Sequence, residues 1–275
     1  MSGFKTFAGK NRLFIVFCVL ALLLVLTAVL APWITPYDPY KSSLADALQA
    51  PSRTHWFGTD KLGRDLFTRI IYGGRVSLAA SLTVVVIILT VGSFLGILAG
   101  YFGGITDTVI MRISDMMISF PGMVLAIAVA GILGASIRNA IIAIAVVSWT
   151  KYARMARSLV LKIRHADYVS AAVVTGSKVP HILGAYMLPN ILPTMVITAA
   201  TDIGGMMLEL AGLSFLGFGA QAPTPEWGLM LNEGRPYMQY APWMMIFPGL
   251  AIFVTVVIFN LLGDSLRDVM DVRDE

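Results

Sequence analysis

"LFIVFCVLALLLVLTAVLA", Leu13 to Ala31, runs for 19 residues without a charged side chain. An α-helix rises 1.5 Å per residue, so about 20 such residues cross the ~30 Å hydrocarbon core of a bilayer. The run is longer than the roughly 7–15 apolar residues of a cleaved signal. Although Lys5, Lys10 and Arg12 flank it, we read it as an uncleaved first transmembrane helix. Its one cysteine, Cys18, is the only cysteine in the chain, so no internal disulfide framework or cysteine metal cluster forms; a small apolar filler is the reading.

The rest of the sequence has the same character. Of 275 residues, 57% are hydrophobic and 13% charged, against about 45–50% and 25% in soluble domains. Five further apolar stretches reach span length, giving 13–33, 76–102, 112–134, 139–157, 190–216 and 243–263. The expectation is an all-α polytopic membrane protein of six transmembrane helices. Arg112 and Asp115 open the third stretch at the membrane edge, and their spacing of three suits a pair on one helix face. "SFPG", 119–122, allows a kink or a helix start.

Excess Lys and Arg in short loops marks the cytoplasmic side. Lys5, Lys10 and Arg12 precede the first span, and Lys151, Arg154, Arg157, Lys162, Arg164 and Lys178 fall in 151–189 against one acid, Asp167. The connections near 135–138 and 217–242 hold only Arg138 and Arg235. Both termini and 151–189 are therefore expected inside. The net charge of +4 reflects this bias rather than nucleic-acid binding.

Residues 34–75 carry six basic residues on the outer side, together with Asp38, Asp46, Asp60 and Asp65, and are long enough for a folded cap. "APWITPYDPY" suits an extended start. Asp65, Leu66, Arg69, Ile70 and Tyr72 suggest an amphipathic helix on the membrane surface, broken by Gly73 and Gly74 before the second span. In "GAQAPTPEWG", 219–228, the prolines favour a rigid outer loop, and Trp227 suits an interfacial position.

"DYVSAAVVTGSKVPHILGAYMLPN", Asp167 to Asn190, is polar and rich in small residues between two oily spans. Ser170, Ala171, Ala172 and Gly176 permit close approach of another surface, and Pro180 is expected to stop the helix. The pattern describes a helix, a turn and a second short helix on the cytoplasmic face. A segment of this length suits docking, with an ordinary loop as the plain alternative.

The spacing Ala171-Ala172-x3-Gly176-x9-Tyr186-x-Leu188-Pro189 resembles the cytoplasmic signature of ABC importer permeases. Ser170 stands where that family often has glutamate. "FGTDKLGRDLFTRIIYGGRVSL", "GYFGGITDTVIMRISDMMISFP", "GLSFLGFGAQAPTPEWGLML" and "FPGLAIFVTVVIFNLLGDSLRDVMD" extend the likeness to the second permease subunit of dipeptide, oligopeptide and nickel importers. "WTKYARMARSLV" and "TDIGGMMLELAGLSFLG" are slightly more similar to nickel-type permeases.

The resemblance implies the type I importer fold in a bacterial inner membrane, with a cytoplasmic N-tail 1–12 and an outer cap 34–75. It further implies a permease core 76–263 containing the coupling segment 158–189, and a C-tail 264–275. It implies coupling to an ATPase through Tyr168, Ser170, Ala171, Ala172, Gly176, Leu188 and Pro189. The expected partners are a second homologous permease, two ATP-binding subunits, an extracytoplasmic solute-binding protein and membrane lipid. In the family the 219–228 loop belongs to the outer gate or binding-protein contact; a structured re-entrant connection is the plain reading. The sequence has no G-x-x-x-x-G-K-[ST] loop, so ATP and Mg are expected on the partner ATPases and no cofactor on this chain.

Asp202 and Glu209 are seven residues apart on one face of the fifth span, with Met206 between them. Intramembrane acids face a cavity or partner. They either line a route for a cationic substrate or make polar contacts with a neighbour. The methionines read chiefly as core filler rather than soft-metal ligands. His55, His165 and His181 show no metal-ligand spacing, and no nucleophile–base pair suggests catalysis. The rival function is an ion-gradient-driven carrier or channel using the same two acids.

Overall fold

The structure, a computed structural model, describes residues 11–271. Lys5, Lys10 and the last four residues of the C-tail lie outside the described residues. The elements are helical: α1 (Arg12–Val29), α2 (Leu66–Phe102), α3 (Gly104–Ile118), α4 (Gly122–Leu133), α5 (Ile137–Ile163), α6 (Asp167–Val174), α7 (Leu188–Phe215), α8 (Trp227–Gly234) and α9 (Trp243–Asp271). Among the described residues no strand forms; a single bridge joins Thr59 and Asp65 in the cap.

Four helical runs are long and apolar enough to cross a membrane: Arg12–Val29, Leu66–Phe102, Val179–Phe215 and Trp243–Met270. The stretch 112–134, read as one span, is instead broken. α3 and α4 satisfy the test only together and are bent by 94°. The break falls at Ser119–Pro121, where Pro121 caps α4 and has no N–H to continue α3. The stretch 139–157 lies within the 27-residue α5, whose second half carries Lys151, Arg154, Arg157 and Lys162. A count of six therefore rests on the bent pair and this amphipathic helix each crossing.

α2 corrects another expectation. Gly73 and Gly74 do not break it; Leu66–Phe102 is one 37-residue helix, capped where Asp65 accepts from the Thr68 N–H at 2.8 Å. At 1.5 Å per residue it is about 55 Å long, more than a bilayer with its headgroups. Its first turn is inside the cap, so it is no surface helix: Leu66, Arg69 and Ile70 are buried.

The glycines of α2 are packing positions. A Cβ on Gly73 would stand 2.9 Å from the Trp227 ring. Further along, Gly92, Gly96 and Gly100 recur at intervals of four and let α5 approach: a Cβ there would meet Tyr152 at 2.5 Å, the Ala153 carbonyl at 2.3 Å and Val160 at 2.8 Å. Small residues at this spacing let membrane helices pack backbone to backbone, because lipid supplies no hydrophobic drive between them. α7 and α9 use the same device at Gly204, against Asn260, and at Gly263, against Thr201.

Two cores result. One gathers α2, α4, α5 and α7 with Val169 of α6. The other joins α1, the first half of α2 as far as Leu78, Met207 and Ala211 of α7, α8 and α9. The acids of α3 pair with α5 rather than along their own helix. The expected Arg112–Asp115 pair does not form; Asp115 is bound by Arg154 and Asp107 by Arg157, tying α3 to α5.

Candidate functional site: the α6 helix-turn-helix and the polar contacts of α7

At the end of α2 remote from the cap, Arg164 Nη1 donates to the Gly100 carbonyl at 3.1 Å. That carbonyl is near the helix C-terminus, where acceptors lack intrahelical partners and cations are favoured. The bond fixes the turn from α5 into α6 beside the last turn of α2. The cap and α6 thus lie at opposite ends of the same rod.

α6 seats on the core through Val169 and Ala172, three residues apart and buried. The other faces are open: Tyr168 is 42% exposed, Val173 54% and Val174 87%, with Ser170 and Ala171 exposed beside them. An apolar ridge at an aqueous end marks a protein-contact surface. Asp167 in the first turn suits the positive end of the helix dipole.

The helix ends by a Schellman motif. The Ser177 N–H bonds to the Ala172 carbonyl at 2.9 Å and the Gly176 N–H to Val173 at 3.0 Å. Gly176 has φ +82°, the left-handed region that a Cβ disfavours, and nothing lies within 4 Å of where its Cβ would be. Its role is conformational. Pro180, expected to stop α6, starts the next helical turn, Val179–His181, where a missing N–H costs nothing.

From there the backbone continues without a break. Residues Ile182–Met187 form a π-helical turn, and α7 follows directly. The wide turn ends beside Pro189, which has no N–H to extend it, and the Asn190 side-chain amide donates to the Tyr186 carbonyl at 2.6 Å. Ile182 and Met187 anchor this joint in the same core as Val169. Leu188 and Pro189 are exposed at the start of α7.

The predicted coupling residues therefore divide. Tyr168, Ser170 and Ala171 face outward, Ala172 faces the core, Gly176 shapes the turn, and Leu188 and Pro189 lie beyond the π turn. Val173 and Val174 were not singled out by sequence reading. Part of the signal was available: once Val169 and Ala172 face inward, helical periodicity puts 170, 171 and 174 outside, whereas Val173, one turn after Val169, is expected near the inner face and only the structure shows it 54% exposed.

Asp202 is not a free acid. Lys151 Nζ donates to both its oxygens, at 2.7 and 2.8 Å, and the Tyr152 hydroxyl donates at 3.0 Å. Glu209, half-buried two turns on, has no hydrogen-bond partner among the described residues. Met206 is 8% exposed and belongs to the core. Among the described residues no group of three His, Cys, Asp or Glu side chains is placed to hold a metal.

At the other end, a buried charge cluster escaped sequence reading. Arg64 Nε pairs with Asp60 at 2.6 Å, and Arg64 and Arg69 meet Glu233 of α8 at 3.3 and 3.4 Å. Arg69 Nη1 also donates to the carbonyls of Pro39 and Pro223. One guanidinium thus joins cap, α2 and the α7–α8 loop. Glu226 caps α8 through the Gly228 and Leu229 N–H groups, and burial raises its carboxyl above the usual carboxylate range against the pull of those bonds. Trp227, expected at the interface, is 4% exposed and donates to the Ile70 carbonyl.

Residues 92–273 match the family described as binding-protein-dependent transport system inner membrane component, and 9–51 match the N-terminal TM domain of oligopeptide transport permease C. The chain is 44% identical over 262 residues to the dipeptide transport system permease protein DppC of Alkalihalophilus pseudofirmus, covering 95% of this chain and 86% of that protein. It is 42% identical to the nickel transport system permease protein NikC of Escherichia coli (92% and 91% covered). It is 45% identical to the glutathione transport system permease protein GsiD of Pectobacterium atrosepticum (91% and 83%). Among solved structures, the inward-facing MetNI methionine ABC transporter aligns with TM-score 0.58 at 18% identity, over 74% of this chain and 97% of that one. That likeness concerns the fold.

Proposed function

We propose, from the premise that this chain belongs to the family of binding-protein-dependent transport system inner membrane components, that it forms one half of an importer pore paired with a second, homologous permease. It is a permease subunit of an ABC importer and not an enzyme; in this family ATP is hydrolysed on separate ATPase subunits, and a substrate-binding protein takes part. The finer reading is that two ATPases carry ATP and Mg and that the binding protein delivers the cargo outside. The cargo is nickel, free or chelated, or a small peptide, by likeness to relatives named for dipeptide, nickel and glutathione transport.

The observation that carries the coupling role is α6: seated by two residues, it presents Tyr168, Ala171, Val173 and Val174 outward and leads through Gly176 into an unbroken helical run to Phe215. A load on α6 moves α7 as a lever, and the packed interfaces of α7 with α5 and α9 convert that into a rigid-body shift. Ser170 and Ala171 take part in the contact; Ala172, Leu188 and Pro189 hold its geometry. In this reading α6 and both termini lie on the cytoplasmic side of the bacterial plasma membrane and the 34–75 cap outside; the basic residues 151–164 at the α6 end support that orientation.

Asp202 and Glu209 are assigned to the edge of the route, with Met206 packing behind them. Glu209 is the group that attracts a cationic cargo, because Lys151 already neutralises Asp202.

The test is reconstitution of this chain with its paired permease, ATPases and binding protein in liposomes. Uptake that requires ATP, together with a disulfide from Val174→Cys to an ATPase subunit, is the expected result. Uptake by this chain alone under an ion gradient supports the carrier reading instead. Labelling of Val174→Cys from outside the cell overturns the orientation.

A further inference from the structure

We infer that the cap end of this permease carries a binding site for one phospholipid of the outer leaflet, with an anionic headgroup. A slot of about 370 Å³ opens between the ends of α1, α2 and α9, floored by Phe57 of the cap and Trp227 of α8. Its walls are Leu24 and Ala28 of α1, Ile71 of α2 and Leu250, Ala251 and Val254 of α9. The side-chain donors that line it are already committed. Thr27 donates to the Leu24 carbonyl and Thr255 to the Ala251 carbonyl, both at 2.8 Å, and the Trp227 indole N–H donates to Ile70. A space that water would fill with on the order of ten molecules, at ~30 Å³ each, offers them no free side-chain donor and only the two threonine oxygens as side-chain acceptors, far fewer than the roughly three bonds each water needs. Only hydrocarbon fits such a lining, and α1, α2 and α9 are membrane-crossing runs, so the hydrocarbon at hand is an acyl chain.

The headgroup end follows from the aromatic residues above the slot. Phe57 stacks on Phe247 at 4.1 Å and meets Phe67 edge-on at 5.3 Å. On the far side of Phe67 lies a second, open concavity of about 300 Å³, lined by Tyr37, Arg53, Thr54, Trp56 and Asp65. Asp65 is occupied by His55 and by the α2 cap. Arg53 is exposed and forms no ion pair among the described residues. Asp65 is 4% exposed, so the solvent-facing charge there is that of Arg53 and is positive. Trp56, 60% exposed, has the amphipathic ring favoured at headgroup level. An apolar slot and a cationic, aromatic-rimmed concavity meeting across one pair of rings match a lipid with an anionic phosphodiester headgroup.

The test uses the assembled transporter extracted in mild detergent. Wild type, exposed to vesicles of phosphatidylglycerol bearing a photoreactive acyl chain, is expected to label within 24–28 and 247–255. Ala251→Phe fills the slot and should lower retained phospholipid, read by native mass spectrometry, by about tenfold, the equivalent of roughly two buried methylenes. Arg53→Glu should keep the chain but lose the preference for phosphatidylglycerol over phosphatidylethanolamine in mixed vesicles. Label that maps elsewhere in wild type overturns the site, as does unchanged lipid in assembled Ala251→Phe. Disulfide capture of Leu250→Cys by another transporter subunit also overturns it, because protein would then cover the slot.

Discussion

The indole Nε1–H of Trp227 donates to the backbone carbonyl of Ile70 at 2.8 Å, with the ring lying across Gly73 and Gly74. The bond joins the start of α8 to the first turns of α2, and it exists because two consecutive residues lack side chains. Gly73→Ala would gain up to about 1 kcal/mol of helix propensity, but its Cβ meets the ring at 2.9 Å, and overpacking of this kind costs about 1–3 kcal/mol. The expected outcome is a lower thermal midpoint of the detergent-purified complex. Gly205→Ala, with nothing within 4 Å of its Cβ, should be neutral or raise the midpoint.

Glu233 faces Arg64 and Arg69 in a site where both guanidiniums are 1% exposed. Glu233→Gln leaves two buried cations sharing Asp60. Removing one partner from a buried pair costs about 3–5 kcal/mol, so poor assembly is expected, measured as yield of intact complex and melting temperature. Lys61 also approaches Glu233, at 3.5 Å, but is itself 36% exposed; Lys61→Gln should cost less than about 1 kcal/mol. Equal losses in both variants would contradict the buried clamp.

Gly176 needs a left-handed backbone and has open space around it. Gly176→Val pays a strain of about 1–2 kcal/mol, which lowers the population of the native α6 turn about 5–30-fold. ATP-driven uptake should fall while the complex still assembles. Gly176→Asn, whose side chain tolerates this region, should retain most uptake. Equal uptake in Val and Gly forms at normal expression would remove the lever from α6.

Asp202 and Lys151 neutralise one another across α7 and α5. If that pair is structural, Asp202→Asn should be harmful and Lys151→Gln/Asp202→Asn partly restored, read as uptake per assembled complex. Glu209 has no such partner, so Glu209→Gln should reduce uptake of a cationic cargo several-fold with assembly unchanged. Wild-type uptake in both Asp202→Asn and Glu209→Gln takes the acids off the route.

What the sequence determined by itself was the oily, helical, membrane-spanning class, the family likeness, and the segment 167–189, because hydropathy, turn residues and short motifs are local properties. Even there the structure changed details: Gly176 rather than Pro180 ends α6, since a helix stop is a choice between a left-handed residue and a missing donor, and both were present. Gly73 and Gly74 looked like breakers because their reason, Trp227, lies more than 150 residues away. The glycines at 92, 96 and 100 were equally visible, yet only the approach of α5 gives them meaning. Glu233 carried no local mark of its role. Asp202 could be a route acid or a polar contact with a neighbour until folding brought Lys151 beside it. A charge or a small residue is defined by what it touches, and touching across helices is decided only when the chain has packed.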